Sequence, residues 1–481
     1  MPFKFETKLV SSKNHNLSIF FALNDKKIIN TIKSNYEGID EIITKDARFS
    51  TDYLSLNIYH QKGRVVIIIG LGEEAQLTTE RAAHAIAMGA REGSKSHSNA
   101  QIFINTIKLN QELLTSIAIQ STIMGCYEFN NYKSKKVPPI KLTTCEIITN
   151  AAIDESIIKE AIAIGTGINE ARNLSNMPSN DLNPTSFVEK IKSEFSKEKS
   201  MKVTIIDEKE AKKKGMNALV GVGQGSAYPS YLAIIEYSGD KSSKEKIALV
   251  GKGITFDTGG ISIKPSKSMK DMKGDMSGAA AVFGTMTIVK KVLPKSNIIA
   301  LIPIAENMPS GTAQRPGDVV TAYNGTTIEI VNTDAEGRLI LADALSYAVT
   351  QKATQIFDIA TLTGAAVVAL GNETLGMLGN NQSIMDKIIE KQSRTFEKVW
   401  QLPLYDEFKE YLKSNVADIS HCFEGRAGGT CTAAKFLEQF VNQTPWVHFD
   451  MAPKMENSKT SGFDIKGMSG AGVRTLYEII K

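Results

Sequence analysis

The chain has 481 residues, 42% of them apolar, and a formal net charge of +4. That length points to more than one domain with ample material for sizeable cores. So mild a charge gives no reason to expect nucleic acid or an acidic membrane surface as a partner. Cys126, Cys145, Cys422 and Cys431 are the four cysteines, and none falls in a C-x-x-C pair, which fits a reducing compartment.

The first stretch, Met1 to Val10, mixes charge with apolar residues and lacks the apolar core of a leader. Leu17 to Leu23 and Arg64 to Ile69 are short runs rich in Ile, Phe and Val that predict strands. Gly70-Leu71-Gly72 closes the second run but is followed by Glu73 and Glu74, so it is not read as a dinucleotide site. Thr79 to Gly93 is alanine-rich with helical spacing, and Gln101 to Ile107 predicts another strand. His15, His60, His84 and His97 are scattered and form no ligand set. Asp154 to Leu174 predicts a long helix running into a Pro/Asn/Ser-rich connector, Ser175 to Pro184.

From Pro184 onward strands and helices alternate. Ser186 to Phe195 predicts a helix and Val203 to Ile206 a strand. Val220 to Gly225 is glycine-rich but leads to a strand, Leu232 to Tyr237, and is read as a tight turn rather than a phosphate loop. Strands follow at Lys246 to Val250, Asn297 to Pro303, Thr327 to Val331 and Gln355 to Ile359, with helices at Ser277 to Val292, Leu339 to Val349 and Thr432 to Val441. The fold class is α/β with two domains: a smaller N-terminal α/β domain, residues 1–165, and a larger C-terminal catalytic domain, residues 166–481, whose mostly parallel central sheet is flanked by helices. The longest weakly polar stretch, Ile359 to Gly379, is broken by Thr361, Thr363, Gly364, Gly371, Asn372 and Glu373, so no membrane span is expected. A cytoplasmic location is.

Two acidic clusters carry the chemistry. Asn332-Thr333-Asp334-Ala335-Glu336-Gly337-Arg338 stands between an apolar run and a helical pattern. Taken alone, Thr333 and Glu336 read as a capping box. The second cluster runs from Lys252 through Asp257 and Lys264 to Asp275. Asp257 before two glycines also suits a turn, Asp275 suits a helix N-cap, and Met272 suits ordinary apolar packing. Together, however, Asp257, Asp275, Asp334 and Glu336 place four negative charges at strand ends, where open parallel sheets bind ligands. Without counter-charge they could share a site only with large pKa shifts. Two divalent cations would neutralise them, and a histidine-free, oxygen-rich set suits Zn²⁺, Mn²⁺ or Mg²⁺. Lys264 and Arg338 then remain as positive groups able to face an oxyanion.

Val250 to Gly260 and Asn332 to Arg338 resemble the two signature stretches of the leucyl aminopeptidases, the cytosol aminopeptidase family. The resemblance extends over roughly Ala171 to Tyr477, including Ala171-Arg172-Asn173-Leu174 and Glu306-Asn307-Met308-Pro309. It implies a metal-dependent exopeptidase with two divalent ions. Lys252, Asp257, Asp275 and Glu336 would hold the tighter ion; Asp257, Asp334 and Glu336 would hold the exchangeable one. It further implies that Lys264 polarises the scissile carbonyl and that Arg338 holds a bicarbonate acting as general base. Met272, Thr361 and Gly364 would line the pocket for the first side chain, and Leu362 would contact substrate through its backbone. A homohexamer acting on peptides is the implied assembly. Gly274, where a bulkier residue is often found, and Met468, where a smaller one is usual, depart from the family pattern.

Two other readings carry less. Asp257-Thr258-Gly259 resembles an aspartic-protease triplet, but no second such triplet occurs. A metal-dependent phosphoesterase shares the two-metal logic and is separated by assay. Nucleic acid is not expected, because the N-terminal domain holds lysines without a dense basic patch.

Overall fold

The computed structural model describes all residues except 1–2, 10–14, 25–26, 36–38, 62, 136–139, 268, 424 and 426. The stretch read for a leader, Met1 to Val10, lies partly outside the described residues. The chain divides into two compact units, Met1–Asn169 with Asn457–Gly467, and Glu170–Glu456 with Met468–Lys481. No helix among the described residues is long and apolar enough to cross a membrane.

The first unit is built on a six-stranded sheet in the order Lys4–Lys8, Thr144–Ile148, Asn99–Phe103, Leu17–Leu23, Arg64–Gly72, Leu56–Gln61. Only Leu56–Gln61 pairs antiparallel, along one edge. Leu17–Leu23 is buried on both faces. Its Leu17, Ile19 and Phe21 pack with the helices Thr79–Ser94 and Gln111–Gly125, while Phe20 and Ala22 pack with Ile28, Ile32, Ile39 and Ile43 from two shorter helices. Such a central strand reads as a continuous apolar run because both pleat faces are covered.

The second unit carries a nine-stranded sheet. Eight strands run in the order Lys398–Gln401, Thr374–Gly379, Trp446–Asp450, Gln355–Ala360, Ile247–Gly251, Asn297–Asn307, Tyr231–Ser238, Met201–Ile206, and Gly253–Asp257 adds to Asn297–Asn307. The four strands from Trp446–Asp450 to Asn297–Asn307 are mutually parallel, as is Gly253–Asp257. Their C-terminal ends therefore open on one edge, the place where such sheets hold ligands. The helix Gly337–Thr350 shares a core with Ala248, Val250, Ile356 and Ala360. The helix Ser277–Val292 packs on the same strands, and it comes very close: a Cβ on Gly278 would lie 2.1 Å from the Ile359 carbonyl oxygen. Only glycine permits that approach.

Two expectations are corrected. The glycine-rich Val220 to Gly225 is not a tight turn; most of it is helical, within Asn217–Gly223. The buried carboxylate of Asp343 accepts the Leu219 N–H at 2.8 Å and so satisfies a donor at the start of that helix from outside it. The helix comes close to Ser230 there: a Cβ on Gly223 would lie 2.0 Å from its Oγ. The run Thr327 to Val331 gives only a short strand, Thr327–Glu329, which lies in a separate three-stranded sheet with Val319–Thr321 and Ile419–Ser420.

Candidate functional site

Lys252 follows the strand Ile247–Gly251, and Asp257 ends the strand Gly253–Asp257. Thr361 follows Gln355–Ala360. Parallel pairing therefore delivers these residues to one edge, and two loops complete the set. One carries Lys264 and then, after the 3₁₀ turn Met269–Gly274, Asp275; the other is Thr333 to Glu336.

Neither loop acid caps a helix with its side chain. The helix after Asp275 starts at Ser277 with Met276 at its N-cap; Glu336 stands at the N-cap of the helix Gly337–Thr350, but makes no side-chain cap bond there. Thr333 instead joins the two loops, donating from Oγ1 to the Gly259 carbonyl at 2.6 Å and accepting from the Ser262 N–H at 2.8 Å. Asp257 does serve its turn, accepting from the Gly259 N–H at 2.9 Å. The same Oδ1 also accepts from Asn307 Nδ2 at 2.8 Å, which donates in addition to the Thr333 carbonyl at 2.9 Å.

The acids and lysines interlock. Lys252 Nζ lies 2.8 Å from Asp275 Oδ1 and 2.8 Å from Glu336 Oε1, and donates to the Thr361 carbonyl at 2.9 Å. Lys264 Nζ lies 2.8 Å from Asp257 Oδ2 and 2.5 Å from Asp334 Oδ1. Oxygens of Asp257, Asp334 and Glu336 all fall within 4.8 Å of one another. Burial raises the carboxyls of Asp257, to about 6, and of Asp275. Burial pulls Lys252 and Lys264 down, but the surrounding carboxylates outweigh it and leave both ammonium groups above their ordinary range. Burial also presses Glu336 upward, yet the two lysines prevail and hold it ionised.

Divalent cations fit this set. Asp275 Oδ2 and Glu336 Oε2 are buried and make no hydrogen bond among the described residues. Unpaired buried carboxylate oxygens are costly, and here they belong to a histidine-free group of oxygens with the hardness that Mn²⁺, Mg²⁺ or Zn²⁺ accepts.

Around this core, Arg338 is 7% exposed and donates from Nη1 to the His421 carbonyl at 3.0 Å. Thr361 donates from Oγ1 to Asp275 Oδ1 at 2.7 Å, so it braces an acid as well as standing at the edge. Leu362 offers its N–H to Asp450 Oδ1 at 3.1 Å, Gly364 opens the helix Gly364–Leu370, and Met272 is half-buried in the 3₁₀ turn.

A model of the cytosol aminopeptidase catalytic domain matches residues 169–477, and one of that family's N-terminal domain matches residues 46–136. The chain belongs to the cytosol aminopeptidase family. It is a metalloaminopeptidase, a hydrolase. A probable cytosol aminopeptidase of Alkaliphilus oremlandii is 39% identical over 476 residues, covering 96% of this chain and 94% of its own. One of Pseudomonas fluorescens is 41% identical over 427 residues, covering 87% and 85%. Among solved structures, the bottromycin maturation enzyme BotP superposes with a TM-score of 0.86 at 28% identity, covering 97% of this chain and 98% of that one; a second structure shows it in complex with Mn at the same score.

Two residues of this aminopeptidase's site carried no local signal in the sequence, Asp450 and His421, and Asn307 stood there only as part of the stretch Glu306 to Pro309. Asp450 fixes the Leu362 and Thr363 segment through the Leu362 N–H and a 2.6 Å bond from Thr363 Oγ1. His421, wholly buried, holds the approach to Asp334: Nε2 lies 2.9 Å from the Asn332 carbonyl, and Nδ1 lies 3.2 Å from the Val331 N–H. Nδ1 also lies 3.1 Å from the Glu329 carbonyl, so the ring bridges three backbone groups of that run. Burial, then Arg338, depresses its pKa to about 4.

Proposed function

We propose that this aminopeptidase releases the N-terminal residue of peptides, with a broad leucine-like preference, at two divalent cations, Mn²⁺ or Zn²⁺. The observation that carries the reading is the convergence of Asp257, Asp275, Asp334 and Glu336 on two lysine ammonium groups, with a buried oxygen of Asp275 and one of Glu336 left unbonded. Lys252, as the neutral amine that a cation in its place among the carboxylates would require, would hold the tighter ion with Asp257, Asp275 and Glu336; Asp257, Asp334 and Glu336 would hold the exchangeable one. The manganese complex of the bottromycin enzyme supports that metal. Bound there, the ions would supply a nucleophile from water at neutral pH and Lewis acidity toward the scissile carbonyl.

The chain's own residues do the rest. Lys264, the more exposed lysine, can turn from Asp257 and Asp334 to the substrate and donate to the oxyanion that develops on its carbonyl oxygen. Arg338, steadied by the His421 carbonyl, would hold a bicarbonate that accepts the proton of the attacking water. Met272, Thr361 and Gly364 would border the first side chain, and the Leu362 backbone, pinned by Asp450, would register the peptide. A free α-amine drawn to the acidic cluster confines cleavage to the chain end. Residues 1–165 would serve assembly and substrate access in a cytoplasmic homohexamer.

The test pairs metal content with activity. Chelation should abolish hydrolysis of leucyl anilide, and Mn²⁺ or Zn²⁺ should restore it, with no turnover of a phosphate ester. Asp257→Ala should lose metal and activity together. Full peptidase activity in the chelated protein defeats the reading.

A further inference from the structure

Gly274 immediately precedes Asp275, and it is buried. A Cβ built on it would lie 2.5 Å from Met468 Cε and 2.7 Å from Met468 Sδ, with Met455 Sδ at 3.2 Å. The volume next to the Asp275 backbone is therefore filled, but from elsewhere in the chain. Met468 is only 2% exposed, so its thioether has no solvent to retreat into. The two segments are also tied together independently of this contact. Asn176 accepts the Met468 N–H on Oδ1 at 3.2 Å, and its backbone carbonyl accepts from Lys273 Nζ at 2.9 Å. One residue thus brackets the strand Gly467–Met468 and the turn Met269–Gly274.

We propose that positions 274 and 468 share one volume, and that the Met468 thioether is a positioning element for Asp275, standing in for the side chain that Gly274 lacks. Packing at interior density leaves no slack beside such a contact. Withdrawing the thioether opens a cavity behind the turn, and the surroundings close it only in part. The backbone that would move carries Asp275, whose Oδ1 is fixed by Lys252 and Thr361 while its buried Oδ2 makes no hydrogen bond among the described residues. A shift of that carboxylate changes its fit to a cation. A methionine suits the task because its unbranched, polarizable chain fills irregular space.

This inference rests on the metal reading above for its second half only, and a thermodynamic cycle separates the halves. The variants are Gly274→Phe, Met468→Ala, the double variant, and the volume-conserving Met468→Leu. Thermal melting of the chelated full-length protein reads the shared volume. Mn²⁺ titration by calorimetry reads the hold on Asp275. Each of the first two single changes should lower the melting midpoint and weaken Mn²⁺ binding about tenfold, with the double variant recovering most of both losses. Met468→Leu should stay close to the native chain in both. Should Gly274→Phe alone fail to fold, Gly274→Ala replaces it in the cycle, since one methyl group already meets the Met468 thioether at 2.5–2.7 Å but displaces less of it. Additive melting losses overturn the shared volume with the metal reading intact. Coupled melting with additive Mn²⁺ losses overturns the positioning role. A native chain that binds no Mn²⁺ overturns that role together with the metal reading.

Discussion

Two lysines stand in the same cluster, each between two carboxylates, and they differ in depth. The Lys252 side chain is 4% exposed, its partners Asp275 and Glu336 are 6% and 3% exposed, and the Thr361 carbonyl gives it a third fixed neighbour. The Lys264 side chain is 21% exposed, and its partner Asp334 is 33% exposed. In the interior, the charges of a pair act on each other at low effective dielectric, and each would be stranded by loss of the other; near the surface, water takes over part of that role. The inner lysine is therefore a structural counter-charge of the metal-free fold, and the outer one is the lysine proposed above to meet substrate.

The largest effect that could break this contrast concerns stability. Lys252→Met strands two buried carboxylates and should cost the chelated protein about 3–5 kcal/mol of unfolding free energy. Lys264→Met leaves Asp257 Oδ1 its bonds from Gly259 and Asn307 and leaves Asp334 facing water, but it strips the buried Asp257 Oδ2 of its partner; it should cost about 1–3 kcal/mol, less than the loss of Lys252 because one carboxylate rather than two is stranded. Urea unfolding of the two variants in chelator measures both, and equal losses would erase the distinction between inner and outer lysine. Turnover should sort them the other way round. If Lys264 meets the oxyanion, Lys264→Met lowers kcat by about 10²–10³-fold while the fold and the metal content persist. A variant with native kcat on leucyl anilide would show the outer lysine to be mere counter-charge.

The next effect sharpens the picture of what holds the outer loop. His421 is neutral in the fold, with its pKa depressed from 6.5 to about 4 by burial and by Arg338. Below pH 6.5 the unfolded chain takes up a proton that the folded chain refuses until about pH 4. Stability from this group is thus fully present above pH 6.5 and is lost as pH falls through the window, by about 3 kcal/mol at its end. His421→Gln should be less stable at pH 7 and should fall less steeply from pH 6.5 to 4. Parallel slopes for the native and variant proteins would remove His421 from the acid response.

How much of this was legible follows from the range of the interactions. Leu17–Leu23 and Ser277–Val292 came out with the bounds read from the sequence, because continuous burial and helical spacing are local patterns. The two acidic clusters were legible because each packs its charges into a short span. Asp450 and His421 were not, because what makes them matter lies outside their own neighbourhoods: His421 acts on Val331 and Asn332 some ninety positions earlier in the chain. The helix Asn217–Gly223 was missed for the same reason, since its glycines suggest a turn and the carboxylate that stabilises its start comes from Asp343. Gly274 and Met468 were each visible as departures, but only their contact shows that they are one feature.

The smallest predicted effect decides between the sequence reading of Thr333 and its place in the structure. As an N-cap, Thr333 would stabilise the helix Gly337–Thr350, and any short oxygen-bearing residue, Asp and Asn included, would substitute with little loss. As placed, its hydroxyl must both donate to the Gly259 carbonyl and accept from the Ser262 N–H, 2.6 and 2.8 Å away. Serine can do both; an aspartate can only accept, and would add a fifth acid beside Asp334. Thr333→Ser should therefore be close to native, Thr333→Val should cost about 1–3 kcal/mol by leaving the Ser262 N–H unmet, and Thr333→Asp should do no better than valine. The loss should also appear as weaker Mn²⁺ binding, because the bond joins the loop of Asp257 to the loop of Asp334. Urea unfolding and metal titration of the three variants read this directly. If aspartate matched threonine while valine failed, the hydroxyl would be a cap after all, and the outer loop would have to be held by Asn307 and His421 without it.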